Sequence, residues 1–385
     1  QNRMTKTSSF AQYSHRLLAF IERGHAPAGS SFSGFARELF ALQFAHVATY
    51  RRLCETRGVT PDSLDDWQGI PAMPTTAFKE LDLTSLAPSE RLTVFHSSGT
   101  TEHRPSRHFH NSESLAVYEA SLRPWFARHV LPRAGGLQPP SAASSITDGD
   151  CKSPARFLCL TPPPDQAPQS SLVHMFATVS REFGASESGF LAGLGKGLAW
   201  ELDFPSALAA LRTAERRAAP VVLLGTAFMF VHLLDELERR ALRLSLPSGT
   251  RVMETGGYKG RTRELPKAEL HALITARLGV PARDILCEYG MSELSSQAYS
   301  LATDQSVFQF PPWCRALVIS PETGREVADG ETGLLRLFDL ANVRSVLALQ
   351  TEDLATRRGD GFELLGRAAQ AEARGCSLLA QAAVA

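Results

Sequence analysis

Four short stretches and one further arginine hold residue types whose spacing suggests chemistry. Ser97-Ser98-Gly99-Thr100-Thr101 sets four hydroxyls around one glycine, just after an apolar segment. Such a loop aims hydroxyl and backbone N–H donors at phosphate oxygens. The Gly-Lys-Ser/Thr ending of a Walker A loop is missing, and Arg104 and Arg107 are the nearby charges suited to phosphate. In Glu288-Tyr289-Gly290-Met291-Ser292-Glu293 the glycine gives a tight turn at a strand end, where open α/β sheets bind ligands. Glu293 is then a carboxylate suited to Mg²⁺, an ion that takes one or two carboxylates plus substrate phosphates. In Thr351-Glu352-Asp353-Leu354, placed after a strand and before a charged turn, Asp353 is an acceptor for both hydroxyls of a ribose, and Arg367 is a further candidate. Cys376, in Arg374-Gly375-Cys376-Ser377, stands beside a flexible glycine and a cation that would lower its pKa, as suits an acyl acceptor. Each stretch also has a plain reading: a solvated turn, an acidic helix start, a cap, or a stray thiol in a frayed tail.

Positioning these groups requires a scaffold, and the periodicity predicts one. Phe32, Phe35, Leu39, Leu42, Val47, Tyr50 and Leu53 fall mostly at three- and four-residue steps and predict helix with one apolar stripe. Strands over 92–95 and 106–110 flank the Ser/Gly/Thr loop as a hairpin, and a helix over 112–129 follows. Residues 132–155, rich in Pro, Gly and Ser, predict a mobile surface loop. From Phe157 onward short apolar strands alternate with helices, which predicts an α/β fold with a largely parallel sheet. After Phe308 the texture becomes short β segments (316–320, 323–327, 333–340, 361–366), suited to a small β subdomain. The apolar run around Gly225, Met229 and Phe230 reads as core or as the lining of an acyl tunnel.

Composition narrows the function classes. The chain has 385 residues, with 40 Lys plus Arg against 40 Asp plus Glu, so it carries no overall basic footprint for nucleic acid. Its 6 cysteines are scattered without a C-x-x-C pair, which argues against structural zinc and a disulfide scaffold. The longest apolar stretch, Val221 to Leu234, is too short to span a bilayer. A reduced, cytoplasmic protein is the expectation.

The order of the motifs (Ser/Thr/Gly loop, Tyr-Gly-x-Ser-Glu, Thr-x-Asp-Leu, Gly-Arg) resembles the adenylate-forming superfamily of acyl-CoA ligases, luciferases and peptide-synthetase adenylation domains. More narrowly, FHSSGTT, METGGYKGRTRELPK, EYGMSELSSQAY and ARGCSLL are similar to the acyl-protein synthetases, the ligase subunits of the fatty acid reductase of bacterial bioluminescence. The likeness runs from about residue 70 onward. It implies that residues 97–101 hold the ATP phosphates, that Gly256 and Gly257 line the adenine and acyl pocket, and that Tyr289 lies against adenine with Gly290 at the turn. It further implies that Ser292 touches the α-phosphate, Glu293 binds Mg²⁺, and Asp353 and Arg367 bind the ribose. The implied organisation is a large adenylate-forming domain over 1–366, with 308–366 as its β subdomain, and a short tail over 367–385 carrying Cys376. Two departures stand out. Glu102-His103-Arg104 replaces the superfamily's run toward Lys, and no Lys follows Lys267, so the expectation from the resemblance is a chain essentially missing the C-terminal domain with its catalytic Lys. Lys259, Arg261 and Arg263 are the cations that would serve instead.

The expected activity is ATP-dependent activation of a carboxylic acid to an acyl-adenylate, a fatty acid being favoured through the resemblance. Transfer to a thiol, Cys376, and delivery to an acyl reductase partner would follow. The alternatives are an acyl- or aryl-CoA ligase using coenzyme A and a non-catalytic nucleotide-binding module.

Overall fold

The computed structural model describes residues 9–26, 31–97, 104–131, 154–196, 199–256, 265–301 and 304–368. From the amino end, α1 (Phe10–Arg23), α2 (Phe32–His46) and α3 (Ala48–Thr56) precede β1 (Met73–Pro74) and the short α4 (Ala77–Glu80). The hairpin β2 (Thr93–His96) and β3 (Arg107–His110) leads into α5 (Ser112–Val130). Then come β4 (Arg156–Cys159), α6 (Ser171–Phe183), β5 (Gly189–Phe190), β6 (Ala192–Leu194), β7 (Trp200–Leu202), α7 (Phe204–Arg216), β8 (Val221–Thr226), α8 (Ala227–Arg239), β9 (Arg251–Thr255), α9 (Lys267–Leu278) and β10 (Ile285–Tyr289). Six more strands follow: β11 (Ala298–Ser300), β12 (Val307–Gln309), β13 (Cys314–Ile319), β14 (Thr332–Asp339), β15 (Ala348–Arg358) and β16 (Gly361–Arg367).

Among the described residues one sheet dominates, in the order β13-β14-β15-β16-β12-β11-β10-β9-β8-β4-β5, with β1 added beside β15. The strands β10, β9, β8, β4 and β5 pair in parallel, as the strand–helix alternation predicts. Beyond β10 the pairing is antiparallel through to β13. The β segments after Phe308 therefore join the same sheet, through the β12–β16 pair. Parallel strands need cover on both faces, and the period-two alternation supplies two apolar layers. Val222, Leu224 and Met253 face the layer built with the N-terminal helices and α5, while Val221, Leu223 and Val252 face α7, α8 and α9. Met229 and Phe230 are wholly buried in that second layer.

Three local expectations are corrected. The single N-terminal stripe is two helices, because buried Val47 adopts extended backbone (φ −108°, ψ 90°) between α2 and α3. The bend brings the Tyr50 hydroxyl to the Pro71 carbonyl at 2.8 Å. Residues 323–327 form a turn with one isolated bridge, Ile319 to Glu326, where a strand was expected. Thr351–Leu354 lies within the long strand β15, not before a turn, with a register shift just beyond it between Leu354 and Ala355.

One buried carboxylate organises the loop after β10. Asp339, at the end of β14, accepts from the Ser295 and Ser296 amides (2.9 and 2.8 Å), the Ser296 hydroxyl (2.7 Å) and the Ala341 amide (2.9 Å). Burial raises its pKa to about 6 against the pull of those donors. Asp339→Asn keeps the shape but turns an amide N–H₂ toward N–H donors. The expected cost is roughly 2–4 kcal/mol of stability, since an unsatisfied buried donor costs about 1–3 kcal/mol. Urea denaturation measures it, and an unchanged midpoint would remove Asp339 as the anchor.

Candidate active site

The carboxyl ends of β9 and β10 meet the β2–β3 hairpin and the β15–β16 pair. Gly256 directly follows β9 with φ +70°, a left-handed conformation that glycine adopts without strain. Gly290 directly follows β10, and a Cβ there would stand 2.3 Å from Glu288 Oε1, so no side chain fits unless that buried carboxyl moves. Glu288 accepts a hydrogen bond from the Thr255 hydroxyl. Burial lifts its pKa to about 7, against that bond and with Glu254 adding to the rise.

The turn after Gly290 is tied to the hairpin by short polar links. Ser106 and Ser292 hydroxyls are 3.1 Å apart, and the Ser292 hydroxyl donates to Glu293 Oε2 at 3.0 Å. The Ser106 amide donates to the Ser97 hydroxyl at 2.9 Å. His108 Nδ1 lies 2.9 Å from the Ser292 carbonyl, which only accepts, so Nδ1 carries the proton. Burial pushes the His108 pKa down to about 4, and the link to Ser292 opposes the fall. The imidazole is thus a neutral donor that fixes the turn. Asn342 holds the Glu293 carbonyl from the other side at 2.9 Å.

Glu293 itself is 8% exposed, and among the described residues no cation pairs with its carboxylate. A buried carboxylate with one neutral partner suits a divalent cation. A second group stands beside it. The Tyr289 hydroxyl donates to Asp353 Oδ2 at 2.7 Å, and Arg367 Nε is 3.7 Å from Asp353 Oδ1, these last two residues being paired across β15 and β16. Burial raises the Asp353 pKa, while Tyr289 and Arg367 pull it down. The Tyr289 ring packs against Phe308, Phe310 and Phe362.

The structure brings together Ser97, Ser292 and Glu293 in one linked set and Tyr289, Asp353 and Arg367 in another, with Gly256 and Gly290 just past the ends of β9 and β10. Arg107 is occupied: its Nη1 is 2.9 Å from Asp82, which Arg91 also engages at 2.7 Å. Any phosphate role for Arg107 has to share that ion pair. Arg104 is exposed and 3.7 Å from Glu80. Ser98, Gly99, Thr100, Thr101, Gly257, Lys259, Arg261, Arg263 and Cys376 lie outside the described residues. Sequence reasoning missed Ser106, His108 and Asn342, which lie in ordinary strand and turn patterns.

Tyr289→Phe removes the donor to Asp353 and nothing else of the ring. A hydrogen bond to a charged group is worth about 1.5–3 kcal/mol, so the KM for ATP is expected to rise roughly tenfold or more with little change in melting temperature. A lower melting temperature with an unaltered KM would make the Tyr289–Asp353 link purely structural.

A model of the family "Acyl-protein synthetase, LuxE" matches residues 179–384, more than half of the chain. Comparison with curated protein sequences finds no significant match. Among solved structures, 2-hydroxyisobutyryl-CoA ligase in its open conformation, with 2-HIB-AMP and CoA, superposes with a TM-score of 0.60 at 14% identity, over 86% of this chain and 74% of that one. The same ligase in the postadenylation state with R3-HIB-AMP gives 0.63 at 14% identity, over 90% and 72%. Its thioesterification state with 2-HIB-AMP and CoA gives 0.61 at 16%, over 87% and 67%. At such identities the fold is what is shared, and it is the adenylate-forming fold. No described helix is long and apolar enough to cross a membrane. With the family match carrying the assignment, the chain belongs to the acyl-protein synthetase (LuxE) family and is an ATP-dependent acid ligase.

Proposed function

We propose that the chain activates a carboxylic acid, a fatty acid by analogy with its family, as an acyl-adenylate and passes the acyl group to Cys376 for delivery to a reductase partner. The reading rests above all on one observation: the Ser97–Ser106–Ser292–Glu293 chain of polar links beside the Tyr289–Asp353–Arg367 set, at the carboxyl ends of β9 and β10. Residues 1–366 would work as the large domain, with 308–366 as its β subdomain, and 367–385 as a tail carrying the thiol.

In this reading the hydroxyls and amides of residues 97–101 hold the phosphates, with Lys259 and Arg107 as nearby cations. Ser292 touches the α-phosphate, turning its hydroxyl from Glu293 to do so, while Asp353 and Arg367 hold the ribose and Tyr289 orients Asp353. Gly256, Gly257 and Gly290 allow the backbone to approach the nucleotide and acyl group. Glu293 would hold Mg²⁺, which when bound supplies charge neutralisation for the triphosphate. A carboxylate oxygen of the acid attacks the α-phosphorus, and pyrophosphate leaves with the electrons of the broken P–O bond. The Cys376 thiolate then attacks the acyl carbonyl and AMP leaves, the tail making the transfer effectively unimolecular.

Two experiments test this. Glu293→Gln should cut acid-dependent ATP–pyrophosphate exchange by orders of magnitude in a protein that still melts cooperatively, and undiminished exchange would remove Glu293 from the mechanism. With ATP, Mg²⁺ and a radiolabelled fatty acid, the wild type should acquire a label that neutral hydroxylamine releases. Cys376→Ser should lose the label and keep exchange, because adenylation precedes transfer. A variant that still labels overturns the Cys376 assignment, and a wild type that never labels itself yet releases acyl-CoA when coenzyme A is added makes coenzyme A the acceptor.

A further inference from the structure

A second cluster of reactive side chains lies on the α9 side of the sheet, and acyl activation makes no use of it. Glu254 and Cys287 are register partners on the parallel strands β9 and β10, and His271 reaches them from α9. Cys287 Sγ is 2.5 Å from Glu254 Oε1 and 3.7 Å from His271 Nε2, and Nε2 is 3.4 Å from the same carboxylate oxygen. All three are buried, at 6% exposure for Glu254, 6% for His271 and 4% for Cys287. Their neighbours in sequence, Thr255 and Glu288, bond to each other, and Glu288 acts electrostatically on Tyr118 of α5. Strand alternation therefore separates the two pairs onto opposite faces of the sheet.

Thiolate, imidazole and carboxylate together are the donor set of a borderline-soft divalent ion, where hard ions such as Mg²⁺ take oxygen alone. Around tetrahedral zinc, with bonds of about 2.0–2.3 Å, neighbouring donors stand roughly 3.3–3.8 Å apart. The His271–Glu254 and His271–Cys287 separations already match that triangle. The third edge is short because the thiol hydrogen bridges Cys287 and Glu254, and replacing that proton by a cation would open it. The charges also balance: one thiolate and one carboxylate neutralise a dication, which limits the cost of burying it. A nearby cation, Lys267, bonds to the Gln305 carbonyl, lies 5.1 Å from the centre of the Phe308 ring and also interacts with the Cys287 side chain, so an incoming ion has to push its ammonium aside.

We propose that Glu254, His271 and Cys287 form a binding site for a thiophilic divalent cation of the zinc class. Binding releases the Cys287 proton and leaves a fourth coordination position to a non-protein ligand. The ion would pin α9 to β9 and β10 just ahead of Gly256 and Tyr289, from the face opposite Glu288.

The test uses the full chain, stripped with a chelator, reloaded with Zn²⁺ or Co²⁺ and dialysed. The wild type should retain about one equivalent of zinc and melt at a higher temperature with it, since a ligand of the folded state stabilises that state. The Co²⁺ form should show a thiolate-to-cobalt charge-transfer band and the intense visible bands of a tetrahedral site. Cys287→Ser and His271→Gln should each lose the charge-transfer band, whereas Cys376→Ser and Glu293→Gln should keep it. Because Cys376→Ser and Glu293→Gln alter the proposed acyl acceptor and Mg²⁺ site, their spectra separate this site from the acyl-transfer reading. A wild type that retains no zinc, a band that survives Cys287→Ser, or a band lost with Cys376→Ser overturns the proposal. The wild-type stoichiometry decides even if a variant fails to fold.

Discussion

Residues 292–297 run below the surface without belonging to a helix or strand. Buried backbone of that kind is stable only if its polar groups find partners, since each unpaired donor costs about 1–3 kcal/mol. Here the partners come from far away. Asp339 takes the Ser295 and Ser296 amides, Asn342 takes the Glu293 carbonyl, and His108 takes that of Ser292. Gln43, on α2, in turn holds the Asn342 carbonyl at 2.7 Å and the Leu347 amide at 2.9 Å. The turn carrying Ser292 and Glu293 thus takes its shape from β3, β14 and the N-terminal helices more than from its own sequence.

The sheet acts as a partition. Adjacent residues on β9 and β10 serve different surroundings, because successive side chains leave opposite faces. Thr255 and Glu288 contribute to the α5 side, where Tyr118 and Tyr299 are also buried. Glu254 and Cys287 belong to the α9 side. A substitution at one position therefore leaves the packing on the other face in place, while charge still acts across the sheet, as Glu254 does on Glu288.

How much of this was legible in the sequence follows from the range of each interaction. The strand–helix alternation of 157–289 rests on local periodicity, and the predicted hairpin around residue 100 and the helix after it are present in the structure. The Tyr289–Glu293 stretch was visible as a set of residue types at a strand end. The partners that fix it were not: His108 is one polar residue in a strand, and Asp339 closes an apolar one. The strand setting of Asp353 was hidden because β15 stays paired through a register shift that residue types do not announce. Glu254, His271 and Cys287 lie 16 to 33 residues apart and meet only through the parallel register of β9 and β10.

The link from α2 to the segment before β15 has a kinetic consequence. Gln43 and Leu347 are 304 positions apart, and β1 pairs with β15. Closing so long a loop is entropically costly, and folds dominated by such contacts form slowly. On the ribosome, chain around residues 40–75 emerges well before its partners exist. Tyr13, Leu39 and Met73, buried in the finished protein, would wait exposed while the remaining strands are made. The nascent amino-terminal third therefore stays open to non-native association until the last strands are made.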